Sequence, residues 1–145
     1  MPERVSSVLE KKGHTVVTAT PGATVGSVVN LLARNRIGAV PVTAPDGRLV
    51  GIISERDVIR GMGQYGAAAL ALTVDVLMTR EVETCAPEDQ IVALMETMTL
   101  RRFRHLPVLR SGVLIGIVSI GDVVKQRLEE AQSELEALRS YIASA

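Results

Sequence analysis

Apolar residues along this chain change their period several times, and the changes come in two matching series. Val25, Val28, Val29 and Leu32 follow the i, i+3, i+4, i+7 spacing of a helix with one buried stripe, and Ile91, Leu94, Met95 and Met98 repeat it. Before each helix lies a short β-prone run, residues 16–20 and 82–86, stopped by Pro21 and Pro87. After each helix, apolar stretches flank a tight turn: 40–42 and 49–53 around Pro45-Asp46-Gly47, then 106–109 and 113–118 around Ser111-Gly112. These predict hairpins. A second helix is expected from Glu55 in one series and from Ile120 in the other. The order is strand, helix, strand, strand, helix, twice over. Pro41 and Pro107 fall within predicted strands, and proline cannot donate to a ladder, so edge positions or strand starts are expected there.

The two series are copies of one unit. Gly51-Ile52-Ile53-Ser54-Glu55-Arg56-Asp57-Val58 and Gly116-Ile117-Val118-Ser119-Ile120-Gly121-Asp122-Val123 share Gly, Ile, Ser, Asp and Val at an offset of 65. Upstream of the turn the offset is 66, pairing Ala39-Val40-Pro41-Val42 with His105-Leu106-Pro107-Val108, Thr18 with Thr84, Pro21 with Pro87 and Arg36 with Arg102. A period of this length that occurs twice indicates a duplicated domain. One copy buries too little apolar surface to stand alone, so the copies are expected to pack sheet to sheet with pseudo-twofold symmetry.

The expected domains are residues 1–72 as the first repeat with its lead-in and connector, 73–130 as the second, and 131–145 as a C-terminal helical extension. Val5, Val8 and Leu9 predict a lead-in helix stopped by Gly13, and residues 73–77 predict its counterpart. The Gly- and Ala-rich residues 61–71 read as a connector with some helix. Val124, Leu128, Ala131, Leu135, Leu138 and Ile142 are spaced 4, 3, 4, 3, 4, an a/d heptad seam. Under three heptads long, the seam is too short to stand as an isolated coil. It either docks on its own domain or pairs with a second chain.

Composition narrows the function. Of 145 residues, 47% are hydrophobic but only 2% aromatic, so the core is built from Val, Ile, Leu, Ala and Met. Sixteen basic and sixteen acidic residues cancel, which disfavours a general nucleic-acid binder. No apolar run reaches the roughly 18 residues of a membrane helix. No hydrophobic signal core follows Met1-Pro2-Glu3-Arg4, and the single Cys85 cannot make an intrachain disulfide, so a cytoplasmic protein is expected. His14, His105 and Cys85 lack metal-ligand spacing, and no metal site is expected. Cys85 among apolar neighbours reads as inert packing rather than as the nucleophile of a Cys85–His105 pair. Gly61-Met62-Gly63-Gln64-Tyr65-Gly66 matches a dinucleotide fingerprint, but the preceding residues look helical, and the fingerprint needs a strand there.

The chemistry sits in the repeated Ser-x-x-Asp. Ser54 with Asp57, and Ser119 with Asp122, can each form a capping box that starts a helix. The same geometry suits a ligand. A helix N-terminus offers free amides to a phosphate, and a carboxylate on its first turn can accept two hydrogen bonds from a ribose diol. On these residues alone, the two readings stay open.

The duplicated βαββα pattern, with Gly-x-x-Ser-x-x-Asp closing each copy and Val40-Pro41-Val42 and Leu106-Pro107-Val108 before it, resembles the tandem cystathionine-β-synthase (CBS) domain pair, or Bateman module. The resemblance covers about residues 14–130. It implies an α+β fold with two packed repeats and a long C-terminal helix. It implies a non-catalytic sensor that binds AMP, ADP or ATP, and in some members NAD(H) or S-adenosylmethionine, in clefts between the copies. It also implies pairing into a disc-shaped homodimer. By matching position, Asp57 and Asp122 would hold riboses, and Ser54 and Ser119 would contact ribose or phosphate. The Asp122 cleft would be walled by Val17, Ile37, Gly38, Ala39 and Ile117. The Asp57 cleft would draw on Thr79, Phe103, Arg104 and His105, with Arg56 as a further phosphate contact. Arg101 and Arg102 read as ordinary basic residues at a helix C-terminus, and Lys125 as surface charge. Only the Asp57 cleft is basic, so it is expected to favour the more phosphorylated ligand. No prosthetic group is expected, and any output would pass to an effector protein. The alternatives are an NAD(H)-binding redox sensor and an interaction dimer without ligand.

Overall fold

A computed structural model describes residues 3–144; the outermost positions of the first and last predicted segments, 1–2 and 145, lie outside the described residues. The elements are α1 (Val5–Lys12), α2 (Val25–Asn35), β1 (Ala39–Thr43), β2 (Leu49–Ser54), α3 (Glu55–Tyr65), a 3-10 turn (Gly66–Ala71), α4 (Val74–Leu77), α5 (Ile91–Arg101), β3 (His105–Arg110), β4 (Val113–Ser119) and α6 (Ile120–Ser144). The fold is α+β, with two antiparallel hairpins in equivalent places. Pro41 pairs with Ile52, and Pro107 with Ile117. Helices α2 and α5 both end on an arginine in the left-handed region, Arg36 and Arg102, as the repeat requires.

The strands expected at 16–20 and 82–86 are reduced to single parallel bridges, Ala19 to Val42 and Cys85 to Val108. The prolines explain why. Ala19 donates to the Pro41 carbonyl and accepts from Thr43 N–H. Continuing the ladder one step back would need an N–H on Pro41, and one step forward an N–H on Pro21. In the second copy, Cys85 donates to the Pro107 carbonyl and accepts from Leu109 N–H. There Pro107 and Pro87 block the ladder in the same way. Pro41 and Pro107 thus sit mid-strand with the ring nitrogen turned to the outer edge.

Two-stranded sheets bury little, and each is completed from the other copy. The lead-in helices are exchanged. Val5, Val8 and Leu9 of α1 enter the core formed by Cys85, Ile91, Leu94, Leu106, Val108 and Val118. Val74 and Met78, in and just after α4, enter the core of Val25, Val28, Val40, Val42 and Ile53. The first lead-in thus packs on the second copy rather than on its own. Each fully buried Val or Leu contributes about 1.5–3 kcal/mol before ordering entropy is subtracted. The backbone repeats the exchange bond for bond. Val5 N–H donates to Asp89, Ser6 to Pro87, and Ile91 to Glu3; Val74 donates to Ala23, Asp75 to Pro21, and Val25 to Leu72. This is the pseudo-twofold symmetry anticipated from the duplication. The hairpin ends also meet, with Leu114 N–H donating to the Gly47 carbonyl.

The glycine of each repeated motif lies where a lead-in crosses its sheet. A Cβ on Gly51 would stand 2.7 Å from Met78 Sδ and 2.9 Å from the Thr79 carbonyl oxygen; on Gly116 it would stand 2.7 Å from a Leu9 methyl. Gly51→Ala is expected to lower the unfolding free energy by about 1–3 kcal/mol in urea titrations, because a backbone oxygen cannot yield. Gly116→Ala should cost less, since only a leucine side chain must move. Negligible losses in both variants would contradict the close crossing.

Candidate functional site

The exchange brings the start of β1 and the start of β3 toward each other, and a cavity of about 370 Å³ opens between them. One wall is the N-terminus of α3. Ser54 caps this helix in a full capping box: its Oγ accepts from Asp57 N–H at 3.3 Å, and its own N–H donates to Asp57 Oδ2 at 2.9 Å. Ser54 Oγ–H also donates to Oδ2, at 3.1 Å. Thr79, just past α4, donates its hydroxyl to Asp57 Oδ1 at 3.1 Å, and Arg60 Nη1 stands 3.9 Å from that oxygen. A carboxylate oxygen has two lone-pair sites, so Oδ1 keeps capacity for a further donor.

The opposite wall carries the charge. Arg101, Arg102, Phe103, Arg104 and His105 line the cavity from the end of α5 to the start of β3, and Arg56 and Arg60 line it from α3. Against five arginines stand Glu55, Asp57 and Glu81. The balance favours an anion, and guanidinium groups suit phosphate. Ile52, Val82 and Phe103, the only phenylalanine of the chain, add apolar surface. The His105 imidazole titrates below its ordinary value, chiefly through burial and then through the charge of Lys12, with Glu55 and Asp122 partly opposing. It is thus neutral near pH 7, and the arginines supply the positive charge.

The structure gathers Ser54, Arg56, Asp57, Thr79, Phe103, Arg104 and His105 into this one cavity. Gly38 and Ala39, expected beside Asp122, line it as well. They are the repeat equivalents of Arg104 and His105, and a Cβ on Gly38 would lie 3.5 Å from His105 Cε1. The cavity is therefore shared between the copies. Sequence reasoning missed Ile52, Glu55, Arg60, Glu81, Val82, Arg101 and Arg102. Two of these carried a signal: Ile52 is the repeat partner of Ile117, and Arg60 lies one helical turn after Arg56. Arg101 and Arg102 do occupy the helix end, but they also face the cavity.

The Asp122 side is built differently. Ser119 and Asp122 exchange the same capping bonds, at 2.8 and 3.1 Å. Here, however, Lys12 at the end of α1 donates to Asp122 Oδ2 at 2.6 Å and to the Ile117 carbonyl at 2.9 Å. The ammonium thus meets Oδ2, the oxygen that also accepts the Ser119 N–H. Val17, Ile37, Ile117, Ser119 and Asp122 do not line the 370 Å³ cavity, and Val17 and Ile37 pack against the first core. A smaller pocket beside Asp122 is lined by Lys11, Lys12, Lys125 and Glu129, and Lys125 is exposed there, as its reading as surface charge anticipated.

The remaining candidates have structural roles. Gly61 and Gly63 lie inside α3, and Gly66 caps its C-terminus with φ of +64°. Cys85 is buried in the second core; burial, with Asp89 nearby, pushes its thiol up to about 12, which makes it a poor nucleophile. Among the described residues, no group of three His, Cys, Asp or Glu could hold a metal ion, and no helix is long and apolar enough to cross a membrane.

Two α+β copies with exchanged lead-ins and a shared cleft define a duplicated domain pair. The CBS domain pattern matches residues 6–63 and 74–129, and the chain belongs to that family as a tandem pair. It is 35% identical over 146 residues to the mitochondrial CBS domain-containing protein CBSX3 of Arabidopsis thaliana, covering 95% of this chain and 71% of that one. The crystal structure of a CBS-domain containing protein from Agrobacterium tumefaciens superposes with a TM-score of 0.82 at 45% identity, covering 86% of this chain and 99% of that one. A CBS domain protein from Pyrobaculum aerophilum, complexed with AMP, superposes with a TM-score of 0.73 at 30% identity, covering 83% and 89%.

Lys12 gives the site an acid signature. Burial alone would raise the Asp122 carboxyl, but the hydrogen bonds from Lys12 and Ser119, with the Lys12 charge, hold it below the ordinary aspartate value. A depressed folded value gives stability that is present above the unfolded value and lost as pH falls through the folded one. The stability difference between the natural protein and Lys12→Met should therefore shrink as the pH falls through and below the ordinary aspartate range. A difference that stays constant across that range would contradict the contact.

Proposed function

We propose that the protein is a non-catalytic sensor that binds one adenine nucleotide in the arginine-lined cavity and signals through a change of conformation or pairing. The observation that carries this is the convergence of Asp57 and five arginines on one cavity shared by the two copies. Its volume lies within the range of small-molecule sites. In this reading Asp57 Oδ1 accepts from the ribose diol. Arg56, Arg104 and the α3 N-terminus hold phosphate. Phe103, Ile52 and Val82 receive the base. The AMP complex of the Pyrobaculum aerophilum relative supports an adenine ligand. With five arginines at hand, ADP and ATP should bind more tightly than AMP. Asp57 is engaged in its helix cap rather than free to act as a base, which suits binding without turnover. The nucleotide-dependent signal would pass to a second copy or to an effector protein.

Thermal unfolding of the nucleotide-stripped protein tests this against AMP, ADP, ATP, NAD, NADH and S-adenosylmethionine. A ligand at about 100 times its Kd adds about 2.7 kcal/mol, or roughly 5–10 °C for a chain of this size. The shift should appear with adenine nucleotides and be lost in Asp57→Ala and Arg104→Ala. Arg104 is exposed, so its truncation leaves the fold intact. A shift with NADH alone would transfer the site to a redox cofactor. No shift with any of them would leave two capped helices and an interaction module.

A further inference from the structure

Helix α6 outruns the domain it belongs to. Val123 and Gln126 are its buried residues, and every described position from 131 onward is exposed. The docking of the seam on its own domain, one of the two outcomes open from sequence, does not occur. Leu128 is 66% exposed, Leu135 46%, Leu138 55% and Ile142 65%. These lie on one stripe with Val124 and Ala131, in the 4, 3, 4, 3, 4 spacing of a coil. An isolated helix of this length is marginal in water unless its apolar face is covered.

We propose that this stripe pairs with the same stripe of a second copy, as a parallel, in-register two-stranded coil. The flanking charges choose both occupant and direction. With Leu128, Leu135 and Ile142 at a and Val124, Ala131 and Leu138 at d, Glu134 falls at g and Arg139 at e. A parallel pair sets each g residue against the e residue five positions on in its partner, so Glu134 meets the partner's Arg139 twice, once on each side. Arg127 meets only the partner's uncharged Gln132. The antiparallel alignment that uses all six stripe positions stacks Val124 on Ile142, Leu128 on Leu138 and Ala131 on Leu135. It also sets Glu134 against Glu134 and Lys125 against Arg139, so like charges face at each flank. Self-pairing is therefore complementary in one direction only. This interface is separate from the nucleotide cavity and does not depend on its occupancy.

Disulfide trapping in the full chain, without nucleotide, tests it. Leu138→Cys should form a covalent dimer on mild oxidation, because position 138 meets itself only in the parallel register. Ser140→Cys, on the outer face, should stay monomeric under the same conditions. Cys85 is buried and adds little background. Adding Arg139→Glu to Leu138→Cys should abolish the cross-link, and adding Glu134→Lys as well should restore it. Residues 131–144 are exposed, so all variants should keep the natural fold by circular dichroism. Equal trapping at 138 and 140, or none at either, would overturn the coil. Cross-linking of Leu128→Cys with Leu138→Cys in mixed chains, without homotypic trapping, would overturn its direction.

Discussion

Everything in this molecule depends on the exchange of lead-in helices between its two copies. Prolines at both ends of the third-strand segment hold each sheet to two true strands, which is too little surface for a core. The missing surface is supplied by α1 for the second copy and by α4 with Met78 for the first. Neither copy is complete without the other, which makes the pair the folding unit. The small residue at Gly51 and Gly116 is the condition for that crossing, since a side chain there would meet the incoming segment. The motif glycine is thus explained by packing, and the serine and aspartate three and six positions on by capping.

The exchange also decides why duplicated motifs yield unequal sites. The C-terminal end of each lead-in is delivered to the capping aspartate of the opposite copy. Helix α4 spans four residues and leads into Thr79, whose hydroxyl meets Asp57. Helix α1 spans eight and ends on Lys12, whose ammonium meets Asp122. One extra turn of helix sets a cation, instead of a neutral donor, against the capping aspartate. The second asymmetry is the pairing of Gly38-Ala39 with Arg104-His105 across the shared cavity. One side leaves room and the other supplies charge.

Much of this was legible in the sequence. The duplication, the four long amphipathic helices, both hairpins and both capping boxes can be read from period and offset, because each is fixed within a few residues of chain. The Asp57 side was legible for the same reason, through its motif and the basic run at 101–105. What failed was long-range. The segments at 16–20 and 82–86 have strand composition, yet beyond the adjoining Pro21 and Pro87 their pairing is cut by Pro41 and Pro107, 20 or more residues away. Gly38 and Ala39 were placed beside Asp122 because the repeat does not say which of two adjoining clefts a position on the axis will face. Lys12 carried no signal: an isolated lysine at a helix end reads as a favourable partner for the helix dipole.

In the proposed function one cavity per chain, on the Asp57 side, takes an anionic adenine nucleotide, and the Lys12 side takes none. Calorimetric titration of the nucleotide-stripped protein with ADP tests it most directly. A single class of sites at one per chain is expected. Two equivalent sites per chain in the natural protein would contradict the asymmetry, and no binding heat together with no competition by ATP would contradict the site itself.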